Sequence, residues 1–154
     1  MSDDSLVAYG ELKGLLEAFA WANHKCNHFS TFTVERLPAG TDLLEILSRH
    51  FGENAAKIAT AELADWPATI EESFRRFLFE YVDVIKPNHP CALADERCHR
   101  EIIASLSNKL ALGLQPLTVW RVTIEPNGFY ELYWDDFAIQ NAAGWHLLHL
   151  GFAD

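Results

Sequence analysis

The chain begins with hydrophobic positions spaced as in an amphipathic helix. Between Ser5 and Asn23, apolar side chains recur every three or four residues, with charged side chains between them. The same spacing returns later, and residues 53–65 are alanine-rich, which favours a helix by propensity. The later helices are predicted at 41–51, 53–65, 69–85 and 95–112. Gly52 is expected to end the first of these, and Gly113 to end the last as a left-handed cap.

Polar residues mark the starts of two of these helices. Thr41 or Asp42 can cap the first of them, since Glu45 lies three residues after Asp42. Thr69 and Glu72 have the same capping-box spacing. Both helices are therefore predicted to begin close to these residues.

The stretch from Leu117 to Phe152 has the alternating pattern of β-strands. At its centre, the segment 125–128 (Glu-Pro-Asn-Gly) predicts a three-residue hairpin loop, because proline presets φ and glycine supplies a positive φ. This register places Trp120 opposite Trp134. A two-residue Asn-Gly loop would place Trp120 opposite Asp135 and mix apolar with charged groups, so the three-residue loop is favoured.

The predicted fold is α+β, a single domain over residues 1–154. A third strand from Trp145 to Phe152 follows a loop near residues 140–144 and gives an antiparallel meander. The N-terminal helices are expected to pack on this C-terminal three-stranded meander, with the first helix and the helix 69–85 covering its apolar face. The β-forming residues 29–35 suggest one extra short strand.

Charge limits the classes of partner. Lys and Arg number 12 against 22 Asp and Glu, a formal net charge of −10, which repels phosphate backbones and argues against nucleic acid. A basic protein would instead be attracted. The sequence contains neither a secretory signal pattern nor an apolar run long enough for a membrane span, and its three cysteines are an odd number. Cytoplasmic residence is therefore expected.

The outer face of the predicted sheet is the leading candidate for a binding surface. Aromatic side chains there would provide contact area, and carboxylates would attract a basic protein. The predicted partner-binding residues are Arg121, Glu131, Tyr133, Asp135, Trp145 and His149. Two alternatives remain: helices cover this face as well, or it mediates a homodimer.

A second hypothesis uses the cysteines and histidines. Cys26, His28, Cys91 and Cys98 could supply the thiolates and imidazole of a tetrahedral zinc site. Their spacing matches no established zinc pattern, so buried structural thiols are the favoured interpretation and no cofactor is expected.

Catalysis is disfavoured. Asp135 and Asp136 are adjacent, and neighbouring strand residues point to opposite faces, so they cannot act on one substrate as an acid–base pair. The glycines form no phosphate-binding pattern. A small acidic chain of this kind has the general character of bacterial immunity or inhibitor proteins, which is an analogy of composition. The leading hypothesis is therefore a binding protein that neutralises a basic protein partner, and the alternative is a small metal-binding protein or enzyme.

Overall fold

The computed structural model describes residues 2–24, 29–81, 95–128 and 130–153. The four α-helices in these ranges are α1 (Asp3–His24), α2 (Leu43–Phe51), α3 (Trp66–Arg75) and α4 (Glu96–Leu114). A 3-10 turn (Gly52–Asn54) follows α2, and a π-helical turn (Arg76–Glu80) extends α3. The strands are β1 (Phe29–Arg36), β2 (Ala55–Glu62), β3 (Thr118–Pro126), β4 (Tyr133–Asn141) and β5 (Gly144–Ala153).

The predicted α+β class is confirmed, but the sheet is larger than the predicted meander. In the described ranges, five antiparallel strands lie in the order β1-β5-β4-β3-β2, so that β1 and β2 form the two edges of the sheet. The extra strand predicted near residues 29–35 is β1. No helix in the described part of the chain is long and apolar enough to cross a membrane.

The helix predicted at 53–65 is wrong, because most of that segment is strand β2. It pairs antiparallel with β3, and Ile58 lies opposite Ile124. Helix propensities differ by only about 0.7 kcal/mol per residue among ordinary residues. A full ladder of main-chain hydrogen bonds with β3, together with packing of Ile58, outweighs that preference.

Two predicted helix ends are also wrong. Asp65 accepts a hydrogen bond from the Ala68 N–H, so α3 begins before the predicted Thr69. Gly113 lies inside α4, and Gln115 is the residue that adopts the left-handed conformation, with φ of 49°. Glycine is needed at 113 because a Cβ there would lie 2.7 Å from the backbone nitrogen of Tyr9 on α1.

The predicted hairpin register is displaced by four residues. Trp120 lies opposite Ala138 rather than Trp134, because the tip of β3 pairs only with β2 and the pairing of β3 with β4 ends at Val122 and Asp136. The displacement is even, so each β3 and β4 residue remains on its predicted face. Gly128 has the expected positive φ, 108°.

Hydrophobic cores lie on both sides of the sheet. On the side here called the α1 face, Phe137 and Leu148 belong to the core formed with α1, α3, the π-helical turn and α4. On the opposite side, the α2 face, Val122 and Leu147 pack with α2. The expectation that helices cover only one face of the sheet is therefore wrong. Helices cover both faces of the central strands, which was the alternative.

Candidate functional site

The residues predicted to form one binding surface lie on opposite faces of the sheet. Arg121 and Asp135 belong to the α1 face, whereas Trp145 and His149 belong to the α2 face. The error comes from β5: Asp135 lies opposite Leu150, so even-numbered β5 residues share a face with odd-numbered β4 residues. The single aromatic and acidic surface predicted from the sequence is therefore not formed.

Three of these six residues are also buried. Asp135, Trp145 and His149 are each less than a tenth exposed. Tyr133 is half exposed, and its ring stacks on Tyr81 at 5.0 Å between centroids. The expectation of solvated carboxylates on an open sheet face is therefore wrong.

Asp135 is the centre of an ion cluster that joins α3 to the sheet. The Ser73 hydroxyl donates to its Oδ2 at 2.6 Å, Arg76 donates to the same oxygen, and Arg121 donates to Oδ1 at 3.0 Å. A carboxylate this deeply buried requires such partners. The polar side of helix 69–85 was visible in the sequence, but its contact with Asp135 depends on packing.

Asp136 forms a second cluster on the α2 face. Its Oδ1 lies 2.7 Å from Nδ1 of His149, and Nε2 of His149 lies 3.4 Å from Glu131. Burial alone would lower the pKa of His149, but the hydrogen bonds and charges of Asp136 and Glu131 outweigh it and raise the pKa to about 9. Burial, with the nearby carboxylates, raises the pKa of Tyr130. Both imidazole nitrogens face carboxylates, so His149 is an internal cation rather than a base.

Three of the four residues proposed to bind zinc, namely Cys26, His28 and Cys91, lie outside the described residues. Cys98 is exposed at the start of α4, and its pKa is raised by a hydrogen bond and the charge of Asp95, which favours the neutral thiol over the thiolate that binds zinc. The described ranges contain no group of three or more side chains able to hold a metal ion.

The edge of β1 that faces away from β5 carries backbone groups with no strand partner among the described residues. The Leu37 N–H donates to the Trp145 carbonyl, and main-chain bonding alternates along an antiparallel strand. The odd-numbered residues of β1 therefore bond to β5 through their main-chain groups, and the main-chain groups of the even-numbered residues point away from β5. Ser30 and Phe32 therefore direct their N–H and C=O groups away from the sheet. At Val34 the outward carbonyl accepts a hydrogen bond from the Tyr9 hydroxyl at 3.3 Å.

A groove runs between this edge and α1. Two adjoining cavities, of about 420 and 220 Å³, share Glu17, Phe32 and Thr33 in their walls. We call this space the β1 groove, and its remaining walls are Lys13, Ala20, Trp21, Ser30, Thr31, Val34 and Glu35. The Ser30 hydroxyl has no hydrogen-bond partner among the described residues.

The β1 groove combines exposed aromatic area with carboxylates. Trp21 is 70% exposed and Phe29, at the start of β1, is 58% exposed. Glu17 lies where the cavities meet, and Glu35 is half exposed at one end. In the sequence, the residue that points to this site is Trp21. It comes after the apolar positions of the first helix and does not belong to the buried side of that helix.

Comparisons of the chain with protein-family models, curated proteins and solved structures give no match. The β1 groove combines an open cavity, main-chain groups that point away from the sheet, and exposed aromatic side chains.

Proposed function

We propose that this protein is a small acidic binding module of the inhibitor or immunity type, which captures an extended segment of a basic protein in the β1 groove. The observation that carries the proposal is the pair of outward-facing main-chain positions, Ser30 and Phe32, beside an open groove. A peptide added there as a sixth strand gains main-chain hydrogen bonds, the usual source of affinity in recognition by strand addition.

The groove suits a short segment. The Tyr9 hydroxyl already occupies the Val34 carbonyl, so the edge available for pairing runs from Ser30 to about Thr33. At about 3.3 Å per residue, this length matches roughly four residues of an extended strand. Alternate side chains of the captured segment would face α1, where Ala20 and Trp21 offer apolar contact.

Charge argues for a basic partner. Glu17 and Glu35 border the groove against Lys13, the one cation among its described lining residues, and the whole chain carries a net charge of −10. Such a field accelerates the approach of a positively charged protein. Capture of a segment that the partner needs for its own activity would make this protein its inhibitor, acting in the cytoplasm.

The test replaces Ser30 with proline. Ser30→Pro removes an N–H that faces the groove and leaves the ladder between β1 and β5 intact, which an edge strand tolerates. The matched control is Thr60→Pro on the other edge of the sheet. There the Leu63 N–H donates to Val119, so the N–H of Thr60 also faces outward.

The three proteins should be immobilised and used to capture partners from an extract of the native host. We expect a basic protein to be retained by the wild type and by Thr60→Pro, and to be lost from Ser30→Pro at equal thermal stability. Purified partner should then repeat this order in a binding titration. Equal binding by a folded Ser30→Pro variant would remove the proposal.

A further inference from the structure

Arg76 and Arg121 form a second charged feature, independent of the β1 groove. They come from the π-helical turn and from β3, and both donate to the single carboxylate of Asp135. In the described part of the chain, Asp135 is the only carboxylate within salt-bridge distance of either guanidinium. Two cations and one anion leave this cluster with a net charge of +1.

The two arginines retain unused donors at the surface. Each guanidinium carries five N–H donors, and the contacts to Asp135 and Ser73 use only part of them. The Nε–H of Arg76 is buried, but the side chains of Arg76 and Arg121 are 32% and 36% exposed, so terminal N–H donors of both can reach a ligand. This distinguishes the pair from arginines that only neutralise a buried carboxylate.

The guanidinium groups are held in place before any ligand binds. Asp135 and Ser73 fix Arg76, and the Arg121 guanidinium lies over the Phe137 ring, 5.3 Å from its centroid. Fixed groups lose little side-chain entropy on binding. On the same face, the neighbouring β2 residue Ala61, opposite Arg121, is small and exposed, so the approach is not blocked by a large side chain.

We infer that Arg76 and Arg121 form a surface site for an oxyanion, the chemistry shared by a phosphate and a carboxylate group. A forked guanidinium binds both through paired N–H···O contacts. The chain's net negative charge weakens the site but does not remove it, because charges beyond about 8 Å are largely screened at physiological ionic strength. The β3 residue of the site, Arg121, is separated from the β1 strand by β5 and β4.

The test titrates the protein separately with inorganic phosphate and with acetate at constant ionic strength, and follows the arginine Nε–H signals by NMR. We expect saturable shifts at Arg76 and Arg121, and none at Arg97 and Arg100, which are exposed on α4 and paired with glutamates. A stronger response to phosphate assigns a phosphate-bearing ligand, and a stronger response to acetate assigns a carboxylate.

A lysine variant tests whether the forked shape of the guanidinium group, and not only its positive charge, is needed for anion binding. Arg121→Lys keeps a cation beside Asp135 but offers a single ammonium group, so the affinity for the preferred anion should fall about tenfold. Arg97→Lys is the matched control and should bind as the wild type does. Shifts that rise linearly and equally at all four arginines, or unchanged affinity in a folded Arg121→Lys protein, would overturn the inference.

Discussion

Asp135 and Asp136 are neighbours on β4, yet their carboxylates lie on opposite sides of the sheet and are neutralised by different groups. Asp135 binds the two arginines on the α1 face, and Asp136 binds His149 on the α2 face. Strand alternation predicted this separation. One consequence is that the two carboxylates cannot act together on one substrate.

Asp135→Asn should destabilise the fold by about 2–3 kcal/mol. Removing one member of a fully buried ion pair costs about 3–5 kcal/mol, and the cost here is smaller because both arginines can be partly hydrated. Urea denaturation measures the difference. Glu101→Gln, which breaks the exposed pair with Arg97 on α4, is the control and should have little effect. Equal losses in the two variants would contradict the role given to Asp135.

The stability should depend on pH through His149. Its pKa in the folded protein, about 9, lies above the ordinary value of 6.5, so the protonated ring stabilises the folded state. This stabilisation is complete below about pH 6.5 and is lost as the pH rises through about 9, a total of about 3 kcal/mol.

The check compares the free energies of unfolding of the wild type and His149→Gln from about pH 6 to about pH 10. The difference between the two proteins should shrink as the pH rises, because only the wild type loses a proton at this position. Parallel curves would mean that the contacts with Asp136 and Glu131 do not hold His149 in its charged form.

Gly151→Ala should destabilise the protein by about 1–3 kcal/mol, the usual cost of an overpacked site. A Cβ at 151 would collide with the Glu131 carboxylate and the His149 ring. Gly10→Ala on α1 is the control: a Cβ there meets nothing within 4 Å, and alanine favours a helix, so the stability should rise by about 0.5–1 kcal/mol. Thermal unfolding of both variants measures the change in stability. An unchanged stability of Gly151→Ala would contradict the close packing of Glu131 against Gly151.

Charge and aromatic contacts in the β1 groove should act on different rate constants. Glu17→Gln with Glu35→Gln should slow association with the basic partner and weaken its salt dependence. Trp21→Ala should instead speed dissociation, because buried anchors mainly determine residence time.

Surface plasmon resonance at two salt concentrations separates the two effects. Glu62→Gln with Glu125→Gln is the matched control, since both carboxylates are exposed at the β2 side of the sheet. If both double variants slow association equally, the net charge rather than the groove guides the partner.

The sequence predicted faces better than it predicted pairings. Trp120 and Arg121 lie on their expected sides because alternation along a strand has a fixed period. The predicted partner of Trp120 was displaced by four residues. The register between β3 and β4 depends on where the other strands, β2 and β5, pair with them. The predicted face of Trp145 was wrong, because β4 and β5 are joined by a two-residue turn that pairs Asn141 with Gly144.

The proposed binding surface was harder to predict than the fold. The sequence indicated an acidic protein with exposed aromatic groups, and from that composition a basic partner is proposed. The β1 groove, however, exists because α1 packs beside an edge strand, a contact between separate segments. The alanine-rich β2 was missed for a similar reason, because its strand conformation depends on β3.

The place of β1 in the sheet also governs when the fold can be completed. Phe29 lies opposite Ala153, so more than a hundred residues must be synthesised before β1 meets β5, the strand with which it pairs in the described part of the chain. Pairings between segments so distant in the chain slow folding, because the loop must close before the contacts form. A ribosome-bound chain that has not yet released β5 therefore exposes both edges of β1, and during that interval a chaperone can bind the strand from either side.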